Sequence, residues 1–172
     1  MNGVIIYSGQ YGSTDQYSRW ISEDTGLPVF RIDDPGADPS TYDFVVLGSS
    51  VMYYRASIRG WVKANWPDLQ ARPLVLFTVS GAPAGPQLDG WIAKSFPQEV
   101  LARMEHVPLR GRLNYDDVSW WLRLLLRMEA MTNRDPQARR EAMHGFDYMD
   151  RSAIEPIVRL IQRYQTSGEP TP

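Results

Sequence analysis

Ser8-Gly9-Gln10-Tyr11-Gly12-Ser13-Thr14 places three hydroxyl side chains and two glycines directly after the apolar run Val4-Ile5-Ile6-Tyr7. Glycines let a backbone turn its N–H groups inward, hydroxyls donate to oxyanions, and a following helix N-terminus adds partial positive charge. Together these suit a phosphate. The segment holds no lysine or arginine, and its glycines are spaced G-x-x-G. Neither a triphosphate-hydrolysing loop nor a dinucleotide fingerprint is therefore present. The alternative is an ordinary turn capped by Ser13 or Thr14, which explains the cap but not the whole segment.

Two more segments have the same character. Gly48-Ser49-Ser50-Val51-Met52-Tyr53-Tyr54-Arg55 follows the apolar Phe44-Val45-Val46-Leu47, and its adjacent aromatic rings suit stacking on a planar heterocycle. Packing of Tyr53 and Tyr54 over a sheet edge is the alternative. Thr78-Val79-Ser80-Gly81-Ala82, after Leu74-Val75-Leu76-Phe77, offers a small-residue backbone to a ligand's polar edge, or is simply a turn. Neither His106 nor His144 falls in these segments, and no side chain is nominated as catalytic acid or base.

The elements that must position these segments alternate. Val4–Tyr7, Val29–Ile32, Phe44–Leu47, Leu74–Val79 and Val107–Leu113 read as strands, with Gly48-Ser49-Ser50 ending the third. Helices are expected from Ser13 or Thr14 to Thr25, from Ser57 to Asn65, across Trp91–Ser95 and Gln98–Arg103, and from Ala153 to Tyr164. Gly81-Ala82-Pro83-Ala84-Gly85-Pro86 reads as loop, and 166–172 as a disordered tail. Five strands with intervening helices predict one α/β domain over 1–165: a doubly wound, five-stranded parallel sheet with helices on both faces. Such sheets bind ligands outside the carboxyl ends of their strands, where all three segments fall.

Composition narrows the chemistry. The 172 residues contain no cysteine and two histidines, which excludes disulfides, thiolate metal sites and thiol catalysis, and makes a histidine metal centre unexpected. Redox chemistry would have to use an organic cofactor. The net charge of −2 gives no basic footprint for nucleic acid. It conceals an uneven split: residues 1–109 hold 8 basic and 11 acidic groups, and residues 110–172 hold 10 and 9, all ten basic ones arginine. No apolar stretch is long enough to cross a bilayer and the first residues do not read as a signal peptide, so a cytoplasmic location is expected.

The three segments together resemble the flavodoxin family. Within it, the chain is most similar to the bacterial menaquinone-dependent protoporphyrinogen oxidases. The resemblance is carried by Tyr7-Ser8-x-x-x-Gly12-x-Thr14, Tyr42-Asp43, Gly48-Ser49-Ser50-Val51-x-Tyr53 and Gly111-x-Leu113-Asn114-Tyr115, and spans about residues 3–164. It implies FMN, with Ser8 to Thr14 at the phosphate, Ser49 to Tyr54 at one ring face and Thr78 to Ala82 at the pyrimidine edge. It also implies a flavodoxin-like fold, a porphyrinogen or other small redox substrate, a quinone acceptor and a place in heme biosynthesis. A plain electron carrier, or a fold-only interaction module, is the alternative. The chain departs from that family in a shorter segment after Tyr53, and in Met52 where a basic residue is expected.

Residues 114–145 form an insertion that short flavodoxins lack. Within it Trp121, Leu124, Leu125, Met128 and Met131 share one helical stripe, with Arg123 and Arg127 opposite. The segment Trp120 to Met131 suits a helix lying in a membrane interface, at the inner face of the cell membrane, or one packed on the domain or a partner subunit. Arg134, Arg139 and Arg140 would then meet anionic headgroups or an acidic substrate, or remain solvated.

Overall fold

The computed structural model describes residues 1–114, 119–120, 123–124, 127–128, 131, 136, 140 and 144–167. In chain order the described elements are β1 (Gly3–Ser8), α1 (Ser13–Thr25), β2 (Val29–Arg31), β3 (Phe44–Met52), β4 (Arg55–Ala56), α2 (Arg59–Ala64), α3 (Trp66–Leu69) and β5 (Leu74–Ser80). There follow α4 (Pro86–Ala93), α5 (Gln98–Leu101), β6 (Met104–Arg110), β7 (Arg112–Leu113), β8 (Phe146–Asp147) and α6 (Glu155–Thr166). Five strands pair in parallel in the order β2-β1-β3-β5-β6, with β4 turned back antiparallel on the end of β3. This is the doubly wound order of the flavodoxin-like fold, with its switch point between β1 and β3.

Alternation along each strand sorts the core into two layers. Val4, Ile6, Val45, Leu47, Leu74 and Leu76 face Val62 of α2, Leu69 of α3, Leu88 and Ile92 of α4 and Val100 of α5. Ile5, Val46, Val75 and Phe77 face Tyr17 and Ile21 of α1 and Ile157, Leu160 and Ile161 of α6. Both faces are dry, so the central strands are apolar runs.

Several boundaries differ from expectation. Helix α1 is capped by Gly12 at φ 82°, a left-handed conformation costly for any other residue, and Ser13 and Thr14 lie inside the helix. Gly48 does not end β3, which continues to Met52 because β4 pairs with its last two residues. That hairpin displaces the start of the next helix from Ser57 to Arg59. Pro86 opens α4 rather than closing a loop, since the first helical turn needs no proline N–H. The fifth parallel strand starts at Met104 and breaks at Gly111; Pro108 is tolerated because β6 is an edge. Thr166 and Ser167 end and cap α6, which the sequence assigned to a tail, while 168–172 lie outside the described residues.

Gly48 marks the tightest crossing of the sheet. A Cβ there would stand 2.4 Å from Phe77 Cζ and 2.9 Å from Tyr7 Cβ. Overpacking of this kind costs about 1–3 kcal/mol. Gly48→Ala is expected to lower the unfolding free energy by that amount, read in urea titrations as a lower midpoint at unchanged slope.

Candidate functional site

Parallel pairing brings the ends of β1, β3 and β5 to one edge, where Ser8 pairs with Ser49 and Ser49 with Thr78. Two cavities open there, one on each side of the loop 8–14. The smaller, of about 80 Å³, is lined by Tyr11, Ser13 and Thr14 from the helix side of the loop, Ser50 to Met52 from β3, and Val79 to Gly81 from β5. The larger, of about 430 Å³, is lined by Ser8, Gly9 and Gln10 together with Ser50, Met52, Tyr53 and Ser57. Arg31, Arg55 and Arg59 complete its wall.

The small slot has the donor chemistry for a compact oxyanion. No side chain caps α1, so its first N–H groups remain for a ligand. The Thr14 side chain is buried and its hydroxyl makes no hydrogen bond among the described residues; the equally unengaged Ser8 hydroxyl belongs to the larger cleft. Gly9 lets the loop close on this helix: a Cβ there would lie 2.8 Å from Thr14 Cβ. Ser13 is engaged differently, its Oγ accepting from Arg112 N at 3.1 Å and donating to Arg112 O at 3.3 Å.

Some nominated hydroxyls turn inward. Ser49 is buried; its Oγ donates to Ser50 O at 3.0 Å and accepts from Ile58 N at 3.3 Å. Ser57, which the sequence did not single out, donates to Ser8 O at 2.9 Å and accepts from Ser50 Oγ at 3.1 Å, tying the first two segments together. Thr78 is fully buried on β5 with Oγ1 2.8 Å from His106 Nε2. Burial lowers the pKa of His106, so it rests there neutral. Ser80 Oγ donates to Ala82 O at 2.9 Å, shaping the third segment.

Tyr53 and Tyr54 are the two turn residues between β3 and β4, with φ of 50° and 63°. Such a turn favours glycine and asparagine, and two aromatic residues hold it only under strain of the kind found at ligand sites. The turn exposes both rings: Tyr53 faces the large cleft, while Tyr54 rests on Trp91 of α4 with ring centroids 5.0 Å apart.

The third segment has no large side chain, and residues distant in sequence supply what it lacks. Strands β7 and β8 pair antiparallel, Arg112 with Asp147 and Leu113 with Phe146, so both ends of the insertion meet at the slot. Phe146 lies over Gly81, where a Cβ would come within 2.5 Å of its ring. Arg110 donates from Nη2 to Gly81 O at 2.6 Å and lies 3.5 Å over the Tyr148 ring, its Nε buried without a partner. No signal in the sequence places Phe146 here, because the pairing spans the whole insertion.

Within the insertion Trp120, Leu124, Met128 and Met131 are helical and 77%, 54%, 62% and 81% exposed. Trp121, Leu122, Leu125, Leu126, Arg134 and Arg139 lie outside the described residues, as does Tyr115.

A family profile described as flavodoxin domain matches residues 4–139. No curated protein matches the chain. Among solved structures, the azoreductase AzrA is 8% identical with a TM-score of 0.50, over 95% of this chain and 100% of that one. A WrbA-like protein from Agrobacterium tumefaciens is 11% identical with a TM-score of 0.48, over 94% and 98%. The flavodoxin of Megasphaera elsdenii is 18% identical with a TM-score of 0.45, over 62% and 82%. At such identities the azoreductase likeness is one of fold alone, and the other two carry no further weight.

The loop is braced across its mouth. Tyr7 at the end of β1 donates its hydroxyl to Asp15 in the first turn of α1, and Asp15 also pairs with Arg19 at 2.8 Å. Burial, then the bond to Asp15, pushes the Tyr7 phenol from 10.0 up to about 12. The neutral phenol is the stabilised form, so its contribution is complete below pH 10 and is lost as pH rises towards 12. Tyr7→Phe is expected to cost about 1 kcal/mol at neutral pH and to flatten the loss of stability above pH 10 in urea titrations.

Proposed function

The chain belongs to the flavodoxin domain family, a family of flavoproteins whose cofactor is FMN, and from that membership we propose that it is an FMN-dependent oxidoreductase. One observation carries the reading: a phosphate-sized slot, a strained aromatic turn and a small-residue loop share the carboxyl edge of the sheet. The residues fit the cofactor. Tyr11, Thr14 and the uncapped start of α1 would hold the phosphate. Val51 and Met52, which lead into the tyrosine turn, would flank the ring, with Gly81 and Phe146 opposite. When bound, FMN supplies at its N5 the hydride- and electron-accepting chemistry that no side chain of this chain provides.

The side chains position and exclude. Arg110 holds the Gly81 carbonyl and Phe146 presses on the same residue, so the third segment has little freedom. Neutral His106 is occupied by Thr78 and serves packing in β6. The finer reading takes a porphyrinogen as substrate and a quinone as acceptor. It is supported by the motif around Gly111 to Tyr115, whose first residues lead into the insertion at the slot.

No helix among the described residues is long and apolar enough to cross a membrane. The exposed residues Trp120, Leu124, Met128 and Met131 recur every third or fourth position, with exposed Arg127 beside them. An apolar stripe flanked by tryptophan and arginine suits the interface of an anionic bilayer, and we assign it a peripheral contact that would bring the site to a lipid-soluble acceptor.

Two experiments test this function. Anaerobic reduction of the FMN-loaded protein by protoporphyrinogen, then reoxidation by a menaquinone analogue, is expected with lipid present. Failure of both half-reactions overturns the oxidase reading, and reduction by chemical reductants alone makes the protein a carrier. Leu124→Asp is expected to reduce flotation with anionic liposomes several-fold; equal flotation removes the membrane contact.

A further inference from the structure

The wide cleft on the β2 side of the first loop is a separate feature from the phosphate-sized slot. Arg31 ends β2, Arg55 lies on β4 and Arg59 opens α2, yet all three line this one cavity. Residues 1–109 are net acidic, with 8 basic and 11 acidic groups. Three of those eight basic side chains converge here, and no aspartate or glutamate lines the wall. Such a concentration of like charge carries a repulsive cost unless an anion relieves it.

The arginines are not consumed by protein partners. Arg55 is exposed and makes no ion pair among the described residues. Arg59 donates from Nη1 to Ala56 O at 3.1 Å, which anchors it and leaves its charge uncompensated. Arg31 meets Asp33 through Nε at 2.9 Å, with both side chains more than half exposed, a pair of little energetic weight. Guanidinium forks with nearby serine hydroxyls are the donor set for phosphate or carboxylate groups. Ser8 contributes a hydroxyl that no other described residue engages, and Tyr53 adds a flat apolar wall. The volume of about 430 Å³ is in the range of small-molecule sites.

We propose that this cleft binds a small polyanion bearing phosphate or carboxylate groups, as a second ligand beside the flavin. Its place as the second ligand rests on the FMN reading; its affinity for anions does not. The helix-side donors of the loop face the slot, whereas Ser8 to Gln10 face the arginines, so the two anionic groups occupy opposite sides of one loop. The two cavities share Ser50 and Met52, which brings the second ligand against the flavin site. This arrangement suits an acidic reductant or oxidant that must meet the cofactor.

The test is calorimetric titration of the full chain with inorganic pyrophosphate, alone and after saturation with FMN, whose own binding is followed by flavin fluorescence. The expected result is one site that persists in the FMN-loaded protein, weakens with added salt, and loses about tenfold in affinity in Arg55→Gln and in Arg59→Gln. Both positions are exposed, and unchanged urea midpoints would confirm that the variants fold. Displacement of pyrophosphate by FMN overturns the proposal by giving the arginines to the flavin phosphate. Absence of binding, or equal binding in both variants, overturns it as well. FMN that fails to bind overturns the flavin reading instead, and the titration of the protein alone still decides the anion site.

Discussion

Burial of both faces of a parallel sheet is the constraint from which the rest follows. Residues Val4, Ile5 and Ile6 point alternately into two separate dry layers, so no polar chemistry is possible along the strands. Backbone polar groups and ligand-binding side chains are forced to the strand ends. Because every strand runs the same way, the ends of β1, β3 and β5 arrive together. Gly48 sets how closely they arrive, since Phe77 and Tyr7 occupy the space a side chain would need.

At that edge the protein adds two devices to the basic fold. The first is the hairpin of β3 and β4, which fixes Tyr53 and Tyr54 in left-handed backbone and carries Arg55 towards the first loop. The second is the short ribbon of β7 and β8, which closes the insertion and lays Phe146 on Gly81. Each device joins segments that local sequence keeps apart. Ser57, Arg110 and Ser13 supply the hydrogen bonds that hold the joined parts in register.

The electrostatics follow the same geometry. A loop that is neutral in sequence acquires an arginine wall from β2, β4 and α2 on one side and an uncapped helix start on the other. Local charge therefore differs in sign from the net charge of the segment that contains it. The neutral state of His106 has a similar origin: its ring is buried against Thr78, and desolvation outweighs the attraction of Asp89.

The linear order of the chain already determined the fold class, because apolar runs of strand length alternating with helical periods admit few arrangements. It also determined that the polar segments after Tyr7, Leu47 and Phe77 would share an edge. What it could not determine was the direction of each side chain, since one residue of extra strand reverses the face. The continuation of β3 through Met52 therefore turned Ser49 inward and left Ser50 to the cavities. Only the tertiary structure brought Arg31, Arg55 and Arg59 to one cleft and Phe146 to Gly81. Those contacts depend on strand order and on a pairing closed across the insertion, and neither has a local signature.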